Sequence, residues 1–170
     1  LNGKAITAAV SGGPDSLAMV HALHHTAAVT GIRLTVAHLD HGIRASDSKS
    51  DAAFVKEFCK RVGIPCKVGS VDVPGIAKSR NLSLEDAARR ERHKFLAIAS
   101  STFGSSAVAL GHTSDDQVET VLMHVVRGSG LDGLKGMELM STRSMEGTTL
   151  NIFRPLLSIP RITVESYLSL

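Results

Sequence analysis

Aromatic residues, cysteines and long apolar runs are all scarce in this sequence. Its 170 residues include five phenylalanines, one tyrosine and no tryptophan, so the composition does not indicate a broad stacking platform for nucleic-acid bases. The two cysteines, Cys59 and Cys66, form no C-x-x-C motif, and we expect them to be buried thiols or plain core residues. No apolar run approaches the length of a membrane span, and no signal-peptide pattern opens the chain. These absences predict a cytoplasmic protein without a membrane partner.

The remaining composition is typical of a globular domain. Hydrophobic residues make up 43% of the chain and charged residues 21%, and the length suits one domain with a substantial core. The net charge of +3 is compatible with an anionic partner but does not demand one. Function therefore has to be sought in the motifs.

A glycine-rich turn between an apolar run and a helical pattern organises the chain. The run at residues 5–10 is followed by Ser11-Gly12-Gly13-Pro14-Asp15-Ser16. Apolar residues then recur at helical spacing from residue 16 to about residue 29, where Gly31 closes the helix. Glycines let the backbone approach a ligand, and the free N–H groups at a helix start favour phosphate. Ser11 and Ser16 add hydroxyl donors, and Asp15 adds a carboxylate suited to Mg²⁺. The turn has no lysine, so it is not a Walker A loop.

Strand and helix patterns alternate along the rest of the chain. Short apolar strands are predicted at residues 34–38, 66–71, 107–111 and 152–157, with a loop continuing through Pro74. Helices are predicted at residues 47–62, from Ser83 onward, from Thr113 or Ser114 onward, and at residues 162–168. In the helix after Thr113 the residues predicted to face inward are Val118, Val121, Leu122 and Val125. This alternation predicts an open parallel α/β sheet with helices on both faces.

Polar residues lie where three of the strands end. Residues 11–16 follow the first strand, residues 38–44 end the second, and residues 112–116 follow the fourth. Ligands of such sheets bind beyond the carboxyl ends of the strands, which share one edge. These three segments are therefore expected to form one site.

The segment after the fourth strand is rich in carboxylates. Asp115 and Glu119 are four residues apart and Asp116 and Glu119 three apart, so the acids share one face of the predicted helix. Together they can hold a metal ion or an ammonium group, or take a proton from a nucleophile. Acids in a first turn can also merely complement the helix dipole. The neighbouring phosphate loop makes this alternative the second choice.

Five motifs occur in an order that resembles one enzyme family. They are S-G-G-P-D-S, H-L-D-H-G-I-R, A-R-R-E-R-H-K-F, G-H-T-S-D-D-Q-V-E-T and R-G-S-G-L-D-G-L-K-G-M. The first resembles the PP-loop of N-type ATP pyrophosphatases, and the set is similar to the catalytic domain of tRNA(Ile)-lysidine synthases from Ala5 to Leu157. The resemblance implies a PP-loop catalytic domain over residues 1–157, with residues 158–170 beginning a C-terminal helix. It also implies that further tRNA-binding domains follow this segment in the full protein.

The resemblance implies a two-step ligase reaction that uses ATP and Mg²⁺. ATP adenylates the wobble cytidine of an isoleucine tRNA with a CAU anticodon, and the ε-amine of free L-lysine then displaces AMP to leave lysidine. The implied catalytic residues are Asp15, Asp40, Arg92, Asp116 and Glu119. The implied ATP-binding residues are Ser11, Gly12, Gly13, Pro14, Asp15, Ser16, His38 and His112. Asp15 and Asp115 would hold the metal, and the resemblance is compatible with a homodimer.

Two other functions fit part of the same pattern. A PP-loop tRNA thiolase would share the phosphate loop, although such relatives typically use additional cysteines for an iron–sulfur cluster or a persulfide. A non-catalytic ATP-binding sensor would explain the loop but not the acids.

Six basic residues form a run that is either a solvated helix face or a set of contacts to tRNA phosphates. They are Lys78, Arg80, Arg89, Arg90, Arg92 and Lys94. Residues 128–133 fit G-x-G-x-x-G but follow a helix, so we interpret them as a flexible substrate-side loop rather than a dinucleotide site.

Overall fold

A mostly parallel six-stranded sheet runs through the protein, with helices on both faces. The computed structural model describes residues 3–43, 47–128 and 134–169, without the side chains of residues 47–49. The strands are β1 (Ala5–Ala9), β2 (Arg33–Asp40), β3 (Cys66–Ser70), β4 (Ala107–Ala109), β5 (Met140–Met145) and β6 (Thr148–Phe153). The helices are α1 (Pro14–Thr30), α2 (Asp47–Val62), α3 (Val73–Arg80), α4 (Leu84–Thr102), α5 (Ser114–Val126) and α6 (Arg161–Leu168). This architecture confirms the predicted open α/β fold.

The first strand lies inside the sheet, whose strand order is β3-β2-β1-β4-β6-β5. β1 pairs in parallel with β2 and β4, so that Ala8 lies opposite both Val36 and Ala109. β2 pairs in parallel with β3, and β4 with β6. The chain therefore adds strands first to one side of β1 and then to the other. Such a switch between neighbouring strands is where α/β sheets open a ligand crevice.

The outer strand β5 was not predicted, and it is antiparallel, so the sheet is mostly and not entirely parallel. It pairs with β6 through a tight turn at Glu146 and Gly147, whose φ angles are +48° and +76°. Most side chains of β5 are exposed, so it lacks the apolar run that marks a strand buried on both faces. β6 also starts earlier than the strand predicted at residues 152–157. It ends earlier too, because Pro155 has no N–H for a sheet ladder.

Apolar side chains cover both faces of the sheet. On one face α1 and α2 pack on β1 and β2 through a fully buried cluster that includes Ile6, Met19, Val20, Val36 and Val55. On the other face α4 packs on the sheet through Leu96, Ala99, Val108, Leu150 and Ile152. Burial from both sides explains why β4 is wholly apolar and β1 is apolar apart from Thr7.

The segment that begins at Val73 is helical, so the loop predicted through Pro74 is wrong. Asp72 caps α3 by accepting a hydrogen bond from the Gly75 N–H at 3.0 Å, and Pro74 lies in the first turn. An aspartate followed two residues later by a proline is a local helix-start signal. The helix is short and buries little beyond Val73 and Ala77, which explains its weak apolar pattern.

Helix α5 exposes the side chains that were predicted to face inward. Val118, Leu122 and Val125 are 58%, 57% and 53% exposed, and Val121 is only partly buried. No residue of α5 is fully buried, because polar contacts hold this helix in place of apolar packing on the sheet. The expected homodimer stays a prediction.

Several predicted boundaries are confirmed. Gly31 ends α1 in the left-handed conformation with a φ of +65°, and the Ser83 hydroxyl caps α4 by accepting from the Asp86 N–H at 3.0 Å. The predicted substrate-side loop at residues 128–133 lies, apart from Gly128, outside the described residues. Across the described ranges, no helix combines the length and apolar character needed to cross a membrane.

Gly111, which follows β4, allows a close backbone approach to the first turn of α1. A Cβ atom at this position would lie 3.1 Å from the Ser16 Cα and 3.2 Å from both atoms of the Asp15 carbonyl group. These neighbours belong to the backbone, so they cannot rotate away as a side chain can. The absence of a side chain at Gly111 therefore sets how closely the end of β4 approaches the glycine-rich turn.

We expect Gly111→Ala to lower the free energy of unfolding by about 1–3 kcal/mol, because overpacking would force β4 and α1 apart. Gly13→Ala is the matched control, since its Cβ would meet only the Ser11 hydroxyl oxygen, at an ordinary 3.6 Å. Urea denaturation of both variants measures the difference. Equal loss of stability in the two variants would contradict the importance of this contact.

Candidate functional site

A cleft of about 790 Å³ opens at the carboxyl end of the sheet, where β1 and β4 are neighbours. The residues that line it come from the ends of these strands, from α1, α4 and α5, and from the β5–β6 hairpin. Its charged lining side chains include Asp15, Arg89, Arg92, Asp116, Arg143 and Arg154. The three segments predicted to share one edge all contribute to this cleft.

The glycine-rich turn leaves the start of α1 without a side-chain cap. Gly13 is the N-cap residue with an extended backbone, and Gly12 has a φ of +94°, which favours glycine. The Ser16 hydroxyl donates to the Gly13 carbonyl at 2.8 Å and lies 3.3 Å from the Ser11 hydroxyl, so the turn is closed on itself. An uncapped helix start that lines a cleft is suited to binding a phosphate group.

Asp51, from the first half of α2, lies against this turn. A Cβ on Gly12 would be 3.3 Å from the Asp51 Cγ, so the two residues are in near contact. Sequence reasoning missed Asp51 because its spacing within α2 resembles that of any exposed acid. Only the sheet topology indicates it, since α2 begins at the same edge where β1 ends.

Arg161 contacts three carboxylates, of which Asp15 and Asp116 line the cleft. Asp116 Oδ2 accepts hydrogen bonds from the Thr113 N–H at 2.7 Å and hydroxyl at 3.1 Å, and Asp116 Oδ1 accepts from Arg161 Nη2 at 3.1 Å. Asp15 Oδ2 lies 3.4 Å from Arg161 Nε, while Asp15 Oδ1 is buried with no hydrogen-bond partner among the described residues. Asp115 accepts the backbone N–H of Arg161 at 2.8 Å. The negative charge of Asp15, followed by that of Asp116, raises the pKa of the Arg161 guanidinium.

Sequence reasoning missed Arg161 and placed Glu119 nearer the cleft than it lies. Arg161 begins α6, which contacts α1 through a 2.6 Å hydrogen bond between Tyr167 and His21. The sequence signal that could have drawn attention to Arg161 is Pro160, because a proline at a helix start places the next residue in the first turn of α6. Glu119 has an exposed side chain outside the cleft lining, although its charge adds to the raised pKa of Arg161.

Another part of the cleft lining is basic. Arg92 of α4 and Arg143 of β5 both line the cleft, together with Arg89. Arg92 keeps an exposed surface, but partial loss of water within the cleft lowers its pKa, and the charges of Arg143 and Arg89 lower it further. Because these guanidinium groups repel one another, an anion between them is favoured.

The predicted basic run divides into a structural group and a group that lines the cleft. Arg90 and Lys94 each bond Glu146 at 2.8 Å, which fastens the β5–β6 hairpin to α4. Arg89 and Arg92 line the cleft instead, although Arg89 also pairs with an aspartate of its own helix. Contact between any residue of this run and tRNA phosphates stays a prediction.

His112 lines the cleft as a neutral ring. Its Nδ1 accepts a hydrogen bond from Arg154 Nε at 3.2 Å, which assigns the ring proton to Nε2. Burial and then the charge of Arg154 lower the pKa of His112, with Asp116 opposing in part. Arg154 is itself buried and donates to the Glu138 carbonyl at 2.8 Å and the Ser141 hydroxyl at 2.9 Å. These bonds hold Arg154 in place and so fix the tautomer of His112.

The residues at the end of β2 occupy different positions. His38 is buried and is not among the residues that line the cleft; its Nδ1 donates to the Val10 carbonyl at 2.9 Å, which ties β2 to β1. The Asp40 carboxylate accepts the Gly42 N–H at 2.8 Å and holds the following turn. His41, which belongs to the segment predicted to share this site but was given no role, lines the cleft, and burial lowers its pKa.

The fold and the cleft together define an α/β nucleotide-binding domain. Its first strand runs through a glycine-rich turn into an uncapped helix, and its cleft lies at the point where the strand order reverses. The chain belongs to the PP-loop domain family, whose model matches residues 1–170. Membership of this family implies ATP binding.

Similar proteins include several named as tRNA(Ile)-lysidine synthases. The chain is 44% identical over 166 residues to that of Dehalococcoides mccartyi, and the match covers 97% of the chain and 35% of the relative. It is 41% identical to that of Symbiobacterium thermophilum, covering 97% and 33%. The chain thus spans about a third of the length of the curated relatives it matches. The solved U34-tRNA thiolase NcsA from Methanococcus maripaludis has the same fold, with a TM-score of 0.77 at 22% identity over 99% of this chain and 57% of that one.

We expect the free energy of unfolding to fall as the pH drops below about 6.5, the ordinary pKa of histidine, because the fold lowers the pKa of His112. In that pH range the unfolded chain binds a proton at His112 more readily than the folded protein does, and this binding stabilises the unfolded chain. His112→Gln should therefore reduce the slope of unfolding free energy against pH between 7 and 5.5. Above pH 8 the two curves should run parallel, because histidines are then neutral in both states. Identical slopes below pH 6.5, measured by urea denaturation, would contradict this assignment.

Proposed function

We propose that this chain is the catalytic domain of a tRNA-modifying ligase of the lysidine type, acting in the cytoplasm. ATP adenylates the C2 oxygen of the wobble cytidine of an isoleucine tRNA with a CAU anticodon, and pyrophosphate leaves. The ε-amine of free L-lysine then attacks C2, the bond from C2 to the AMP oxygen breaks, and lysidine remains. One observation carries the proposal. The uncapped start of α1, which is suited to binding phosphate, and the carboxylates that bind the Arg161 cation lie in the same cleft. The names of relatives at 44% and 41% identity support it.

The ATP phosphates are proposed to bind at the start of α1. The residues involved are Ser11, Gly12, Gly13, Pro14 and Ser16, which form the turn and the first helical position. His112 would add a hydrogen bond from its Nε2–H, consistent with its neutral ring. His38 would act indirectly, by holding the ends of β1 and β2 together.

The residues of the cleft fit a magnesium ion. Asp15 Oδ1 is a buried carboxylate oxygen without a hydrogen-bond partner in the described part of the chain. Mg²⁺ commonly binds one or two carboxylates together with substrate phosphates. Asp15 and Asp115 would hold the ion, which supplies charge neutralisation at the phosphates.

Asp116 and Glu119 are proposed to receive the lysine amine. An ordinary lysine amine has a pKa of about 10.4 and is mostly protonated at pH 7, so it needs both a counter-charge and a base. The Arg161 guanidinium beside Asp15 and Asp116 supports this role, because an ammonium group carries the same charge and needs the same partners. Asp40, which holds the turn that leads to the cleft, completes the proposed catalytic set.

Arg92 is proposed to stabilise the negative charge that develops at the α-phosphate. It lines the cleft, and the charges of Arg89 and Arg143 raise the cost of leaving it without an anion. A guanidinium group can donate two parallel hydrogen bonds to phosphate oxygens. The homodimer and the domain boundary at residue 157 belong to the same proposal.

Pyrophosphate release in the presence and absence of tRNA and lysine tests the proposed function. Release that requires tRNA, followed by lysidine formation only with lysine, is the expected result. Release with tRNA but no product with lysine would indicate another second substrate, as in a thiolase. No described contact favours that alternative, since Cys59 and Cys66 are outside the cleft lining. ATP binding without any release would support the sensor function.

We expect Asp15→Asn to slow pyrophosphate release about 10²–10³-fold, because a neutral amide holds Mg²⁺ less well than a carboxylate and the ion then neutralises less of the phosphate charge in the transition state. The loss should persist at saturating Mg²⁺. Glu57→Gln is the control, since Glu57 is an exposed acid of α2 outside the cleft lining and should leave the rate unchanged. An unaltered rate in Asp15→Asn would remove Asp15 from the mechanism.

We expect Glu119→Gln to slow lysine attack, or raise the lysine concentration required, more than it slows adenylation, because an amide cannot balance an ammonium charge. Single-turnover assays that follow adenylated tRNA and lysidine separately measure the two steps. Glu165→Gln, at an exposed acid of α6, controls for the loss of one surface charge. Equal loss in both steps would instead assign Glu119 to ATP and the metal.

A further inference from the structure

The guanidinium group of Arg161 contacts the same carboxylates that the proposed function assigns to two other cations. Its Nε lies 3.4 Å from Asp15 Oδ2, and its Nη2 donates to Asp116 Oδ1 at 3.1 Å. Asp15 is a proposed ligand of Mg²⁺, and Asp116 is a proposed partner of the lysine amine. A carboxylate carries one negative charge, so a second cation weakens its hold on the first, and the two cations repel each other. Arg161 therefore competes with both.

The contact with Asp15 leaves a polar atom of each residue unsatisfied. Arg161 Nε and Asp15 Oδ1 are both buried, and neither has a hydrogen-bond partner among the residues that the structure describes. Each such atom costs free energy, because it has lost water and gained no hydrogen bond in return. Asp116 differs, since its other oxygen accepts from the N–H and the hydroxyl of Thr113. Asp15 is therefore the carboxylate that gains most when another cation replaces the guanidinium group.

The side chain of Arg161 can leave these carboxylates while α6 stays in place. It is 40% exposed, so water can solvate the guanidinium group as it withdraws. The backbone of the same residue is anchored separately, because its N–H donates to Asp115 at 2.8 Å. Helix α6 is also held by the buried Val164 and by the 2.6 Å hydrogen bond between Tyr167 and His21. Displacement of the guanidinium group therefore needs only the rotation of its own side chain.

We propose that Arg161 is a displaceable cation, whose guanidinium group leaves Asp15 when a divalent metal ion binds that carboxylate. The proposal rests on the metal site of the proposed function. Arg161 is a positioning residue, because it holds Asp15 and Asp116 together until the metal ion and the amine replace it. Its charge also raises the metal concentration that the cleft requires, so binding of the ion and release of the guanidinium group are linked.

Titration of the folded chain with Mn²⁺ alone, followed by the EPR signal of the free ion, tests this competition. Arg161→Gln should bind Mn²⁺ at least about fivefold more tightly than the unaltered chain, the effect of one unit charge on another about 4 Å away in water. Arg161→Lys keeps the charge and should bind close to the unaltered value. Arg33→Gln removes an exposed arginine at the other end of the sheet and should change nothing. Equal or weaker binding by Arg161→Gln, or no saturable binding, would overturn the proposal.

Nuclear magnetic resonance of the unaltered chain decides the question if Arg161→Gln does not fold. The Nε–Hε signal of Arg161 is identified as the arginine signal that is missing from Arg161→Lys. Addition of Mg²⁺ should move this signal toward the position of exposed arginines, and a signal that stays in place while Mg²⁺ saturates the chain would overturn the proposal.

Neither measurement uses ATP, tRNA or lysine, so the two proposals can fail separately. Loss of the guanidinium contact on metal binding, together with a negative ligase assay, would reject the proposed function alone. A positive ligase assay, together with an Arg161 signal that does not move, would reject only the displacement of Arg161.

Discussion

The backbone contact at Gly111 holds the two halves of the cleft at a fixed distance. Because no Cβ intervenes, the end of β4 lies directly against the first turn of α1, and the residues that follow each strand enter one cleft. One side contributes the glycine-rich turn, and the other contributes His112 and the start of α5. A separation fixed by backbone atoms does not depend on side-chain rotamers. The uncapped start of α1 and the acidic first turn of α5 therefore have a defined spacing before any ligand binds.

Charge is divided across this cleft. The carboxylates of α1 and α5 meet around Arg161, whereas Arg92 and Arg143 repel each other at the basic part of the lining. Partial exclusion of water strengthens both effects relative to those on an open surface. A nucleotide alone would provide phosphates for the start of α1 and for the guanidinium groups of Arg92 and Arg143. It would provide no cation for the acids, which contact Arg161. The proposed ligase reaction also brings an amine, so it accounts for both parts of the cleft, whereas an ATP sensor accounts for only one.

The sequence was most informative where structure depends on local signals. The glycine-rich turn, the buried strands and the Ser83 cap were predictable, because periodicity and capping act within a few residues. β5 was not, since its polar residues resemble a loop until β6 pairs with them. The exposed face of α5 carries the apolar spacing of a packed helix, so spacing alone could not show that this face does not pack on the sheet. Arg161 lies 45 residues from Asp116, and only the fold brings the two together.

Polar contacts anchor helix α5 near its beginning. Gln117 bonds both the N–H and the carbonyl group of Met137, at 2.7 and 3.0 Å, and Arg161 bonds Asp116. Since α5 contributes no fully buried side chain, local opening of this helix costs less free energy than opening of β1 or β4. Arg161 also contacts Asp15, so this one guanidinium links the start of α5 to the core-packed helix α1.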